Sequence, residues 1–89
     1  MKIIINYDVG GYCVPDEIVE LFGLKNPWDG NNHAVRTNPL FIQWVEAHED
    51  ETDLVVVEIP QEVTDYIIQE CDGIETVLYV LDGKISFAE

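Results

Sequence analysis

The sequence predicts a single α+β domain, in which a mainly antiparallel sheet of four to five strands carries two short helices packed on one face. Two Asp-Gly pairs, Asp72-Gly73 and Asp82-Gly83, separate apolar runs near the C-terminus, and Asp-Gly is a preferred two-residue hairpin turn. Further β-branched runs lie at residues 3–5 and, after Leu54, at residues 55–57, which favours strands there. A chain of 89 residues is long enough for one modest core.

The first strand is expected at residues 2–7, where an apolar run ends before a Gly-Gly bend. A helix of about two turns should follow, because Pro15 suits a first turn, acidic Asp16 and Glu17 favour an N-terminal end, and Gly23 stops the helix.

Residues 25–36 show no periodicity and are predicted to form a loop. Trp28 in this loop either packs against a helix or is an exposed anchor. The second helix should begin with Thr37 or Asn38 as its cap and Pro39 in its first turn, and should extend to about Glu49. Its core face is expected to contain Leu40, Phe41, Trp44, Val45 and His48.

Strands are predicted at residues 54–59, 66–71, 74–81 and 84–87. If both Asp-Gly pairs form two-residue turns, the register follows. It pairs Cys71 with Ile74, Glu70 with Glu75, Ile68 with Val77, Ile67 with Leu78, Tyr66 with Tyr79, Val80 with Ile85, and Leu78 with Phe87. One face then contains Ile67, Cys71, Ile74, Leu78, Val80, Ile85 and Phe87, and we predict that this is the core side. The other contains Tyr66, Ile68, Glu70, Glu75, Val77, Tyr79, Leu81, Lys84 and Ser86.

The charge pattern restricts the partners. The formal net charge is −14, and twelve carboxylates but no lysine or arginine lie between Arg36 and Lys84. Such a field repels nucleic acid and anionic membranes and attracts basic protein surfaces. The apolar start is too short for a signal peptide, so we expect a cytoplasmic protein with Cys13 and Cys71 as reduced, partly buried thiols.

The first candidate site is an acidic patch that docks on a basic host protein. Its members are Glu58, Glu70, Asp72 and Glu75. Carboxylates two residues apart on a strand lie about 6.6 Å apart, close to the spacing of phosphates along a nucleic-acid strand. The patch could therefore imitate nucleic acid and inhibit a host defence nuclease. The alternative is a solvated hairpin end, where acidity serves only solubility.

The second candidate site is aromatic. Tyr66 and Tyr79, with Ile68 and Val77 beside them, could form a protein-binding platform, could lie beneath a helix, or could mediate homodimerisation. Trp28 is the third aromatic candidate.

The sequence contains no catalytic or metal signature. His33, His48, Cys13 and Cys71 have no recognised metal spacing, and no nucleophile, base and orienting group can be named together. We therefore expect a non-enzymatic protein without a metal or cofactor.

Several segments resemble a group of small phage and bacterial proteins that begin with a Lys-Ile-Val-Ile-Asn strand and a Tyr-Gly-Gly-Phe bend. The matching stretches are Lys-Ile-Ile-Ile-Asn at residues 2–6, Gly10-Gly11-Tyr12, and residues 36–40, 57–60 and 66–75. Val9 stands where that group usually has tyrosine. The resemblance implies a source in mobile elements and their hosts. The leading expectation is an accessory protein that binds a basic host protein, and the alternative is a small structural or self-associating module.

Overall fold

A computed structural model describes residues 1–63 and 65–88 of the chain. It confirms the α+β class, with five antiparallel strands and three short helices. The elements in chain order are β1 (Lys2–Asn6), α1 (Asp16–Phe22), a 3₁₀ helix (Pro27–Gly30), α2 (His33–Arg36), α3 (Pro39–Ala47), β2 (Leu54–Glu58), β3 (Tyr66–Cys71), β4 (Ile74–Leu81) and β5 (Lys84–Phe87). The strands form two sheets, β1-β2 and β3-β4-β5.

The β1-β2 sheet is the middle of three layers. Successive side chains of a strand point to opposite faces, and Ile4 packs with α1 and α3 while Ile3 and Ile5 pack against the β3-β4-β5 sheet. The helix side of the core contains Ile4, Val14, Ile18, Phe41, Ile42, Val45 and Leu54. The sheet side contains Ile3, Ile5, Val57, Ile59, Val63 and Val77. Both faces of the two-stranded sheet are therefore covered.

The predicted hairpins are confirmed. Asp72 and Asp82 have φ of 53° and 54°, and the glycines after them have φ of 90° and 76°, as type I′ turns require. Every predicted cross-strand pair is present in the structure. The turn chemistry therefore set the register correctly.

The helices follow their predicted signals with two corrections. Pro15 is the N-cap of α1, and Gly23 ends that helix at φ 64°. Asn38 caps α3, and its side chain accepts a hydrogen bond from the N–H of Leu40. The prediction of a loop over residues 25–36 was wrong, because this stretch forms the 3₁₀ helix and α2. Leu40 is exposed and Ile42 is buried instead.

The predicted core side of the C-terminal sheet was also wrong. Val77 is fully buried, and Tyr66, Ile68, Tyr79 and Leu81 pack beside it against the two-stranded sheet. The face with Ile67, Val80, Ile85 and Phe87 points outward. Both faces are rich in apolar residues. The inward face also contains Glu75, and this carboxylate favoured the prediction that the face is solvated.

Candidate functional site

The outward face of the β3-β4-β5 sheet is unusual because it exposes several large apolar side chains. We call it the open face and define it by Ile67, Leu78, Val80, Ile85 and Phe87. Ile67, Leu78 and Phe87 form one row across the three strands, and Val80 pairs with Ile85 in the next row. Ile67, Val80, Ile85 and Phe87 are 65%, 58%, 73% and 61% exposed.

The open face has the apolar composition of a sheet face that is usually buried. An antiparallel sheet with one solvated face usually shows polar side chains on that face, whereas β4 carries apolar side chains on both faces. Four such side chains, each more than half exposed, expose on the order of several hundred Å² of apolar surface, a size at which patches mark interaction sites. A shallow cavity of ≈ 300 Å³ also lies here, and it is lined by Asp65, Tyr66, Ile67, Leu78, Tyr79, Val80 and Ile85.

Two carboxylates border one end of the open face. Asp65 precedes β3 and Asp82 lies in the β4-β5 turn, both with exposed side chains. Glu70 lies on the opposite face of β3, and Asp72 lies in the turn at the far end of the β3-β4 hairpin. Lys84 is an exposed cation beside Asp82. The border of the open face at this end therefore has more negative than positive charge.

Tyr66 and Tyr79 do not project from the open face. Both side chains are half-buried and pack in the sheet side of the core. The Tyr66 hydroxyl also hydrogen-bonds Nδ1 of His33 on α2, and burial raises the pKa of this tyrosine. The two tyrosines contribute to the lining of the cavity from the inner layer.

Glu75, which the sequence placed in an exposed acidic patch, is buried. It is 6% exposed and forms a two-pronged ion pair with Arg36, which is 2% exposed. Arg36 Nη1 donates to Oε1 at 2.9 Å and Nη2 donates to Oε2 at 2.8 Å. The cross-strand neighbours Glu70 and Glu75 therefore experience different environments, and the pair lacks the simple like-charge repulsion that the sequence indicated.

The same ion pair occupies two backbone groups at the outer edge of β1. Arg36 Nη1 donates to the Ile4 carbonyl at 3.0 Å, and the Glu75 carboxylate accepts the N–H of Asn6 at 2.8 Å. These two backbone groups point away from β2, and a neighbouring strand would otherwise pair with them. Arg36 and Glu75 thus replace a strand at this edge and join α2 to both sheets.

The Arg36 guanidinium has no donor left for a ligand. Nε and Nη2 donate to Asn31 Oδ1 at 3.2 Å and 2.7 Å, so with the bonds to Ile4 and Glu75 all five N–H groups are used. Its carbon centre also lies 3.7 Å from the centroid of the Tyr12 ring. An adjoining polar cavity of ≈ 460 Å³ therefore offers no free guanidinium to an anion.

Tyr12 completes this buried group. Its hydroxyl donates to the Gly30 carbonyl at 2.9 Å. Burial raises the pKa of Tyr12 to about 12, against a smaller opposing effect of the Arg36 charge. The tyrosine therefore stays protonated as a hydrogen-bond donor throughout the neutral range.

The remaining predicted site residues do not converge. Glu58 ends β2, Glu70 and Asp72 lie at the β3-β4 hairpin end, and Trp28 is 67% exposed on the 3₁₀ helix. Cys13 and Cys71 are exposed free thiols, so the expectation of partial burial was wrong. Within residues 1–63 and 65–88, no group of three or more His, Cys, Asp or Glu side chains is placed to hold a metal ion.

Sequence reasoning missed the Arg36–Glu75 pair, although a signal existed. Glu75 and Val77 lie on the same face of β4, so the burial of one predicts a buried carboxylate that needs a cationic partner. The chain has only four lysines and arginines, and Arg36 is its single arginine. A guanidinium can pair with a carboxylate through two parallel hydrogen bonds, so Arg36 is the partner that the sequence favours.

None of the described helices is long and apolar enough to cross a membrane. Comparison of the chain with known protein families, with curated proteins and with solved structures finds no match.

Proposed function

We propose that this protein is a non-enzymatic binding module that docks a basic protein through the open face of its C-terminal sheet. The observation that carries the proposal is the exposure of Ile67, Val80, Ile85 and Phe87 on one sheet face. Interfaces combine an apolar centre, depleted in charge, with a polar rim, and the open face combines an apolar centre with the bordering carboxylates of Asp65 and Asp82.

The charge of the chain selects the partner. A second copy would bring another formal charge of −14 and the same carboxylates of Asp65 and Asp82 to the interface, because a two-fold dimer places identical patches against each other. A partner with lysine and arginine around an apolar patch gains attraction where a second copy meets repulsion. We therefore favour a basic host protein over self-association.

Nucleic-acid mimicry, as in an inhibitor of a defence nuclease, is a narrower form of this function and has weaker support. The proposed carboxylate row needed Glu70, Asp72 and Glu75 at the surface, and Glu75 is buried against Arg36. Of the exposed acidic residues, Asp65 and Asp82 border the apolar open face. Anchoring by apolar contacts, with charge as the guide, fits this arrangement better.

The test identifies the partner by position and then compares two matched variants. A photo-crosslinking amino acid at Ile85 should capture a basic protein from bacterial lysate, whereas the same group at exposed Leu40 on α3 should not capture it. With the purified partner, Val80→Ser/Ile85→Ser should weaken binding by about tenfold or more, whereas the control Leu21→Ser/Leu40→Ser should leave the affinity unchanged.

The salt dependence of binding distinguishes a basic partner from a second copy of the chain at the open face. Binding to a basic partner should weaken as sodium chloride is raised, because screening removes the attraction. Self-association should strengthen under the same change, because screening removes the repulsion between acidic copies. A monomer–dimer equilibrium that tightens with salt, and that Val80→Ser/Ile85→Ser abolishes, would overturn the proposal in favour of the homodimer.

A further inference from the structure

The free edge of β2 is a second surface, which meets the open face at Phe87. The pairs Ile3–Val57 and Ile5–Val55 belong to the β1-β2 register, and that ladder is extended by the bond from Ile59 N–H to the Met1 carbonyl. Residues 53, 55, 57 and 59 therefore direct their backbone groups toward β1. The alternate residues 54, 56 and 58 direct theirs away from it.

The outward backbone groups of β2 lack strand partners. The N–H of Leu54 bonds the Thr52 hydroxyl at 3.2 Å. The backbone N–H and C=O groups of Val56 and Glu58 form no hydrogen bond within residues 1–63 and 65–88. At the opposite edge of the same sheet, Arg36 and Glu75 occupy the Ile4 carbonyl and the Asn6 N–H, whereas no side chain of the described residues bonds the middle of the β2 edge.

A mostly apolar groove of ≈ 590 Å³ lies between the two sheets and reaches β2. One side is lined by Val55, Val56 and Val57, together with Ile5 and Tyr7. The other side is lined by Glu75, Thr76, Phe87 and Ala88. In a strand added beside β2, the side chains that point in the same direction as Val55 and Val57 would face the C-terminal sheet and enter this groove.

We propose that the edge of β2 accepts an extended segment of a partner protein as a third strand. The unpaired donors and acceptors of Val56 and Glu58 would pair with its main chain. Its alternate apolar side chains would enter the groove beside Val55 and Phe87. Exposed carboxylates of Glu51, Asp53 and Glu58 border the edge, so the outward side chains of the segment would be lysine or arginine.

The probe is a blocked peptide of about eight residues that alternates valine and lysine. In an extended chain, all valine N–H groups point to one edge and all lysine N–H groups point to the other. Two isomers follow from this geometry. One is methylated on every valine backbone nitrogen and the other on every lysine backbone nitrogen. They have the same composition and charge but block opposite edges of the peptide. Titration into the ¹⁵N-labelled full chain measures the affinity and locates the site.

We expect the unmethylated peptide to slow hydrogen exchange at the Val56 and Glu58 amides and to leave the already paired Val55 and Val57 amides protected. One methylated isomer should bind within about threefold of the parent and the other about tenfold or more weaker, because only one removes the pairing donors. Equal affinities of the two isomers, or no change at the Val56 and Glu58 amides at about 1 mM peptide, would overturn the proposal.

A pair of protein variants separates main-chain pairing from charge. Glu58→Pro removes one outward N–H, and proline is tolerated at an edge position of a sheet, whereas Glu58→Gln removes only the charge. We expect the proline variant to lose about tenfold in affinity and the glutamine variant to lose less. Equal losses would show that charge alone holds the peptide. Val80→Ser/Ile85→Ser should leave peptide binding unchanged, so failure here and failure of the open-face proposal are distinguishable.

Discussion

At the scale of single residues, the buried ion pair of Arg36 and Glu75 has its hydrogen-bonding groups satisfied by neighbouring residues. Arg36 uses all five N–H donors, Glu75 accepts from both Arg36 and the Asn6 backbone, and Tyr12 packs on the guanidinium. Burying an ion pair is costly unless its remaining hydrogen-bonding capacity is used. The arrangement therefore specifies how α2, β1 and β4 meet.

The two facing glutamates provide a matched test of this role. Glu75→Gln leaves the Arg36 charge buried without its counterion, so we expect the free energy of unfolding to fall by about 3–5 kcal/mol. Glu70→Gln changes an exposed residue on the paired strand and should shift it by less than about 0.5 kcal/mol. Urea denaturation at neutral pH measures both.

Two results would decide this prediction further. Equal costs for Glu75→Gln and Glu70→Gln would contradict the assigned role of the ion pair. If Glu75→Gln alone is unfolded by circular dichroism, the double variant Arg36→Gln/Glu75→Gln should recover a folded state, because neither partner then leaves an unpaired charge.

At the scale of elements, both hairpins have the same turn type, but one turn only reverses the chain and the other also packs against the bend after β1. Asp72-Gly73 and Asp82-Gly83 share the left-handed backbone of a type I′ turn. A Cβ on Gly83 would meet no atom within 4 Å, whereas a Cβ on Gly73 would lie 2.4 Å from the Val9 carbonyl oxygen and 2.8 Å from the Gly11 nitrogen. The first hairpin turn therefore also supports the bend that follows β1.

Alanine substitution separates the two purposes. Gly83→Ala should cost about 1–2 kcal/mol, from the left-handed backbone alone. Gly73→Ala should cost more, because the loop at residues 8–11 must also move away. Denaturant unfolding gives both free energies, and exchange of the Gly11 amide should accelerate only in the Gly73 variant. Equal costs would indicate that the close approach to Val9 contributes nothing to stability.

The elements also show which parts of the fold the sequence could predict. Asp-Gly turns fix the register by local chemistry, so each predicted pair of β3, β4 and β5 is confirmed. The orientation of that sheet depends on what packs against it, and both faces of β4 offer apolar side chains, so no local signal decided it. The open-face residues were grouped correctly and assigned to the wrong side. The four-residue helix α2 was missed because it is too short for a periodic pattern.

At the scale of the whole molecule, one sheet face is exposed and the net charge is strongly negative. The helices cover the β1-β2 sheet, the β3-β4-β5 sheet covers its other face, and the open face has no cover within the described part of the chain. A formal charge of −14 opposes the compact state by self-repulsion. The same charge opposes the association of copies through the exposed apolar patch, so the acidity and the open face are compatible in one domain while the repulsion is unscreened.

The thermal stability should therefore rise with salt. Screening shortens the range of charge interactions from about 30 Å at 0.01 M salt to about 3 Å at 1 M, so we expect the melting temperature to increase across this range of sodium chloride. A variant with Glu49→Gln, Asp50→Asn, Glu51→Gln and Asp53→Asn removes four exposed negative charges and should show a smaller increase, because less repulsion remains to be screened. Chloride is preferred to sulfate, since sulfate also strengthens apolar burial by exclusion from the surface. A melting temperature that does not change with salt, or equal increases in the two proteins, would show that self-repulsion makes no measurable contribution to the stability of the fold.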